Sequence, residues 1–127
     1  MHGNAEEGRK LRGAVSYRAG QAAEAGVAAL YRRQGRPVLA ERWRGSGGEI
    51  DLVVRDGQEL VFVEVKRSRS FARAAERISR AQIGRLFATA SEYLAGEPGG
   101  QATPVRFDLA LVDGLGRIEV LENAFAA

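Results

Sequence analysis

Residues 48–68 read GEIDLVVRDGQELVFVEVKRS. Two runs within them, 49–55 and 59–67, are rich in Val, Ile, Leu and Phe, and they flank Asp56-Gly57, a strong two-residue hairpin signal. The stretch predicts a pair of antiparallel strands and therefore a sheet-based fold. It also sets Asp51, Glu64 and Lys66 into segments that otherwise look like core. Charged residues are rarely buried unless they are paired or bind a metal.

Side chains alternate along a strand, so Glu49, Asp51 and Val53 share one face, and Leu60, Phe62, Glu64 and Lys66 share one face of the next strand. A two-residue Asp56-Gly57 loop pairs Arg55 with Gln58 and sets Asp51 opposite Phe62 and diagonal to Glu64. Diagonal neighbours lie roughly 7–8 Å apart, within reach of a shared ion. A four-residue loop preserves this parity; a three-residue loop with a regular ladder breaks it. The other face, Ile50, Leu52, Val54, Val61, Val63 and Val65, is wholly aliphatic and is expected to be the core side.

Outward from the hairpin, residues 1–14 are polar and Gly-rich and read as a flexible N-terminal arm. Residues 15–127 form one domain. A helix is expected over 17–34, with Ala23, Val27, Leu30 and Tyr31 as its apolar stripe and Gly35 and Pro37 ending it. A short strand follows at 38–44, then the GSGG turn at 45–48. After the hairpin, one long helix is expected over 72–95, with Ile83, Leu86, Phe87, Ala90 and Leu94 at helical spacing. Residues 96–100 (GEPGG) break it. Strand 105–112 alternates cleanly, and 117–122 reads as a last strand. The order α-β-β-β-α-β-β predicts an α/β domain with a central mixed β-sheet flanked by α-helices.

Composition narrows the chemistry. The chain has 127 residues, 45% hydrophobic and 28% charged, an ordinary globular balance. It has no cysteine, which excludes disulfides, zinc–thiolate sites and cysteine nucleophiles. The single histidine, His2, is not expected to join a core triad or a His-rich metal site. No apolar run suggests a membrane span or signal peptide, so the expected location is cytoplasmic with no membrane partner. A net charge of +3 weakly favours an anionic partner.

Two carboxylates on one face repel each other unless a cation is present. Mg²⁺ or Mn²⁺ suits such a site, because Mg²⁺ binds one or two carboxylates, keeps several waters and takes phosphate oxygens. Lys66 points the same way and is placed to orient a water or to offset charge developing on a phosphate. An ordinary sheet ion pair between Lys66 and Glu64 or Asp51 is the competing account.

GEIDLVVRDGQELVFVEVK resembles the signature of the YraN family, also called UPF0102. Upstream, GQAAEAGVAALY (Gly20 to Tyr31) is similar to its first helix, and RWR at 42–44 to the basic stretch before its GEID. Downstream, EYL (92–94) and RFDLALV (106–112) also fit. The resemblance implies a restriction-endonuclease-like fold, the PD-(D/E)xK nuclease motif and metal-dependent cleavage of DNA, branched or single-stranded, by a relative of Holliday-junction resolvases. It implies that Asp51, Glu64 and Lys66 are catalytic, that Asp51 and Glu64 hold the metal, and that Glu24 joins the metal shell. Gln82 takes the polar position of the second helix, although Ala81 stands before it where many members carry a basic residue. Ser68 replaces an Arg common two residues after the motif Lys, leaving Arg67 and Arg69 to flank the position.

Several residues read two ways. Glu24 is either a solvated charge beside Arg18, Arg32 and Arg33 or a site residue bordering the sheet. Gln82 is either a helix-edge amide or a site residue. Arg42, Arg44, Arg67 and Arg69 are expected to contact nucleic-acid backbone, while Trp43 is expected to cover the core. The rival functions are a non-catalytic nucleic-acid-binding module and an interaction protein, such as a homodimer, that keeps the fold.

Overall fold

The computed structural model describes the backbone of residues 4–125 and the side chains of residues 17–125. Helix α1 (Asn4–Arg33) is followed by strands β1 (Val38–Arg44), β2 (Glu49–Asp56) and β3 (Glu59–Arg67). Two helices follow, α2 (Phe71–Ala75) and α3 (Arg80–Leu94), then a short 3₁₀ turn (Gly100–Ala102), β4 (Val105–Val112) and β5 (Ile118–Leu121). The five strands form one sheet in the order β1-β2-β3-β4-β5. It is mixed, because β3 pairs with β4 in parallel while the other neighbours are antiparallel. The protein is thus an α/β domain with a central mixed sheet between helices, consistent with the restriction-endonuclease-like arrangement. The arm expected at 1–14 falls where no side chain is described; only helical backbone from Asn4 onward is.

The β2–β3 hairpin turns one position later than expected. Asp56 pairs with Glu59 and Arg55 with Leu60, so the two loop residues are Gly57 and Gln58. Gly57 has φ +63°, and a positive φ at the first central position is what a type II′ turn needs. The shift moves the register by two residues, so by itself it sends no side chain to the other face. Continued one step past the Leu52–Val63 pair, it sets Asp51 opposite Glu64 rather than diagonal to it.

Both faces of the sheet are covered. Ala23, Val27, Ala28 and Tyr31 of α1 pack on Leu52, Val54, Val61, Val63, Ala110 and Val112. Leu86, Ala90 and Leu94 of α3 pack on Val53, Leu60, Phe62 and Phe107. The expectation of one core face was therefore too simple: Val53, Leu60 and Phe62 are as buried as the aliphatic set. Ile50 also departs from expectation. It joins the α3 side with Val53, not the α1 side with Leu52, so the alternation of β2 breaks at Asp51.

The single helix expected over 72–95 is two. Ser70 caps α2 by accepting from the Arg73 amide. Ser79 opens α3 with a capping box, its hydroxyl accepting from the Gln82 amide while the Gln82 side chain accepts from the Ser79 amide. Ser-x-x-Gln competes locally with helix continuation, and here it wins. At the end of α1, the Arg36 amide donates to the Tyr31 carbonyl and the Gly35 amide to the Arg32 carbonyl, the Schellman pattern.

Buried Asp108 ties α1 to the sheet. Its carboxylate accepts from the Tyr31 hydroxyl at 2.8 Å, from Arg106 Nε at 2.9 Å and from the Asn123 amide at 3.0 Å. Burial, then the Asp108 charge, push the Tyr31 hydroxyl pKa well above its usual value. The anchor also fixes where α1 places Glu24, two helical turns before Tyr31.

Candidate functional site

The β2–β3 ladder ends at Leu52–Val63. At the next step a side chain replaces main chain: the Val65 amide donates to Asp51 Oδ2 at 2.7 Å. The strands part there, and the Asp51 carboxyl fills the gap. Burial comes first, and the Glu64 carboxylate second, in pushing the Asp51 pKa up to about 8; the Val65 amide opposes the shift, Glu24 adds to it, and Lys66 lowers it. Glu64, Glu24 and Lys66 therefore all act on one buried carboxyl. The strand pattern singled out Asp51, Glu64 and Lys66 together, and the family resemblance added Glu24.

Lys66 Nζ lies 2.9 Å from Glu64 Oε1, and both side chains are about one-sixth exposed. They leave the same face of β3, two residues apart. Glu24 reaches the site from α1 and is engaged there: Arg42 Nε donates to Glu24 Oε2 at 2.8 Å. The second Arg42 contact is Nη1 to the Tyr17 hydroxyl at 3.1 Å.

Two cavities flank the carboxylates. One, about 250 Å³, lies on the α1 side among Tyr17, Gln21, Glu24, Arg42, Arg44 and Asp51. The other, about 160 Å³, lies on the α3 side among Gly48, Glu49, Glu64, Gln82 and Arg85. Glu49 borders both. Gln82 thus stands beside Glu64, although its carbonyl oxygen is committed to the Ser79 amide. Arg44 is largely exposed and only 3.9 Å from Glu49. Arg67 lines a different cavity, with Ala22, Gly26 and Ile118. Arg69 is exposed before α2. Trp43 packs edge-on to Tyr93 at 5.2 Å, as a core cover.

A divalent cation fits this donor set in one respect. Asp51 is a buried carboxyl whose pKa is raised first by burial and then by the Glu64 carboxylate, and a cation offsets both costs. Among the described residues, no group of three or more Asp, Glu or His side chains is gathered to hold a metal; two carboxylates and waters are the Mg²⁺ pattern. Glu24, the third expected ligand, is turned to Arg42.

Glu92 and Thr89 were not anticipated. Glu92 accepts from the Ser46 amide at 2.9 Å and the Ser46 hydroxyl at 2.7 Å. These contacts, the amide first, hold its carboxyl below the usual range. They dock the GSGG segment, expected as a flexible turn, onto α3. Glycine makes room for the approach: a Cβ on Gly45 would stand 2.8 Å from Glu92 Oε2, and one on Gly48 would stand 2.9 Å from Thr89 Oγ1, so either would push the docked side chains aside. The start of β2, and hence Glu49 and Asp51, is set by this dock. The one available hint was that a loop with three glycines in four residues leaves room for a close neighbour.

Known proteins match most of this chain, including the stretch that holds the hairpin. The family described as "Uncharacterised protein family UPF0102" matches residues 23–112. The chain belongs to UPF0102. A UPF0102 protein of Cereibacter sphaeroides (strain ATCC 17029) is 62% identical over 117 residues, covering 92% of this chain and 100% of the relative. One from Ruegeria pomeroyi is 58% identical over 90% of this chain and 93% of its own length. A third, from Ruegeria sp. (strain TM1040), is 46% identical over 91% of this chain and 94% of its own. The UPF0102 match spans every group that acts on Asp51, from Glu24 to Lys66. Among the described residues no helix is long and apolar enough to cross a membrane.

Proposed function

We propose that this UPF0102 protein is a metal-dependent DNA endonuclease that hydrolyses phosphodiester bonds, with branched or single-stranded DNA as its substrate class. The observation that carries this reading is the buried Asp51 carboxyl, its pKa raised by burial and then by Glu64, with Lys66 beside them, at the point where β2 and β3 part. A buried acid pair beside an amine has no evident structural purpose that a hydrophobic pair would not serve as well.

In this reading Asp51 and Glu64 hold Mg²⁺ or Mn²⁺. The ion, when bound, supplies positive charge against the phosphate and makes water more acidic. Asp51 stays oriented by the Val65 amide. Lys66, oriented by Glu64, presents an ammonium group to the attacked phosphate and its water. The two flanking cavities leave room for a strand to pass on both sides of the carboxylates. Arg44, and Arg85 across the site, offer charge to the backbone.

The test is single-turnover cleavage of branched and single-stranded DNA with Mg²⁺ or Mn²⁺, comparing wild type with Asp51→Asn. Loss of cleavage in the variant, with DNA binding kept, supports the assignment. Binding without cleavage of any substrate by the wild type moves the non-catalytic nucleic-acid-binding module ahead. The feature that favours this second reading is the closed Lys66–Glu64 pair at 2.9 Å.

A further inference from the structure

Two described non-glycine residues have positive φ, Arg42 and Asn123, and only Arg42 lies within a strand, at +51°. A left-handed backbone is unfavourable for a residue with a Cβ, and such outliers persist where the surroundings impose them. Here the outlier redirects side chains. Ala40 and Trp43 both pack on the α3 side although they lie three positions apart, an odd offset, so the alternation of β1 breaks between them. The break turns Arg42 toward α1, opposite the break in β2 at Asp51. There the guanidinium is held three ways: by Glu24 at 2.8 Å, by the Tyr17 hydroxyl at 3.1 Å, and over the Tyr17 ring at 5.5 Å from its centroid. Glu24 is meanwhile close enough to raise the Asp51 pKa. A carboxylate engaged with a guanidinium offers a cation less, and the guanidinium itself repels one.

Resting on the nuclease reading, the geometry points to Arg42 as an exchangeable counter-ion. It holds Glu24 while the α1-side cavity is free of DNA, and it passes to a backbone phosphate when a strand enters, releasing Glu24 beside Asp51. A phosphodiester matches the guanidinium fork as well as a carboxylate does. The cavity that Arg42 lines, about 250 Å³, reaches Asp51 directly. The exchange couples DNA to metal: each ligand strengthens the other by the same factor.

The experiment titrates Mn²⁺ alone into DNA-free protein by calorimetry. Arg42→Gly keeps the left-handed backbone without a Cβ; Arg42→Asn, which also tolerates that conformation, is the second variant. Both are expected to bind Mn²⁺ more tightly than wild type, by about fivefold or more, the low end of ordinary coupling. The gain should vanish in a Glu24→Gln background. Arg44→Ala, which removes a charge from the same cavity without touching Glu24, should give a smaller change. In EDTA, the salt slope of single-strand binding should fall by about 0.7 in Arg42→Gly, one phosphate contact.

If Asp51→Asn abolishes Mn²⁺ binding but neither Arg42 variant tightens it, the counter-ion role is overturned and the metal site stands. A gain of equal size in the Glu24→Gln background, or from Arg44→Ala, also overturns it, because charge alone would then explain the effect. An unchanged salt slope overturns the transfer to phosphate. No Mn²⁺ binding by wild type or by any variant overturns both this proposal and the metal-site reading beneath it.

Discussion

Asp51 Oδ2 lies 2.7 Å from the Val65 amide nitrogen, so a carboxyl takes the hydrogen bond that a main-chain carbonyl would take in a longer ladder. The acid is thereby fixed in place and kept from water together. Fixation suits a ligand; dehydration makes its charge costly.

Metal-free stability should therefore fall with rising pH across the window set by this group. Its ordinary value is 3.8 and its value in the folded chain about 8. Between the two, the native state keeps a proton that the unfolded state has released, so the contribution is full below the lower value and lost through the upper. Mg²⁺ replaces that proton, so the rise in melting temperature caused by Mg²⁺ should grow from about pH 6 to about pH 9. Asp51→Asn should flatten both trends, since its amide oxygen can still accept from Val65. An undiminished Mg²⁺ effect in that variant would mean the ion binds elsewhere.

Lys66→Ala should remove cleavage while weakening DNA binding slightly, because the arginines remain. Lys66→Arg should not restore full activity, since the planar guanidinium is a poor substitute for a compact ammonium paired with Glu64. Single-turnover cleavage beside equilibrium binding separates the two effects; equal cleavage by Lys66→Ala would exclude a catalytic role.

The Glu92–Ser46 dock should be visible without any substrate. Glu92→Gln and Gly45→Ala should both speed hydrogen exchange at the Ser46 amide, the first by weakening the acceptor and the second by crowding it. Because the pKa of Glu92 is lowered, its contribution is present above the unfolded value and lost as pH falls through the folded one. Ser46 protection should fade on acidification in wild type and not in Glu92→Gln. Protection independent of pH would contradict the dock.

Ser79→Ala removes one half of the capping box on α3 and should cost about 1 kcal/mol, measured by urea unfolding. An unchanged midpoint would show that packing of Leu86, Ala90 and Leu94 alone sets where the helix begins.

Much of the sheet was legible because its signals are local. Alternation and β-branched residues marked β1 to β5 closely, and parity of the hairpin brought Asp51 and Glu64 to one neighbourhood despite a register shifted by two. What escaped detection is either nonlocal or lacks a compositional mark. The break between α2 and α3 was written in Ser79 and Gln82, whereas the helical spacing of apolar residues begins only at Ile83 and does not reach across it. Ile50 changed sides because β2 kinks at Asp51, and nothing in Arg42 announces a positive φ. The Arg42–Glu24 and Ser46–Glu92 pairs join residues 18 and 46 apart, so they become visible only once the elements are packed.

The parallel pairing of Leu60 with Val105 bears on how the chain reaches this state. The meander of β1, β2 and β3 closes through short turns, whereas β4 arrives only after the whole α2–α3 crossover has been made, and such nonlocal pairing is slow. Until then the outer edge of β3 is an open template for another chain, and its apolar run LVFV (60–63) continues toward Val65. Glu64 and Lys66 interrupt that run at its far half. The residues assigned to chemistry therefore also serve as gatekeepers while the protein folds, and neutralising both, as in Glu64→Gln with Lys66→Gln, should lower the yield of refolding through aggregation even where the native state is no less stable.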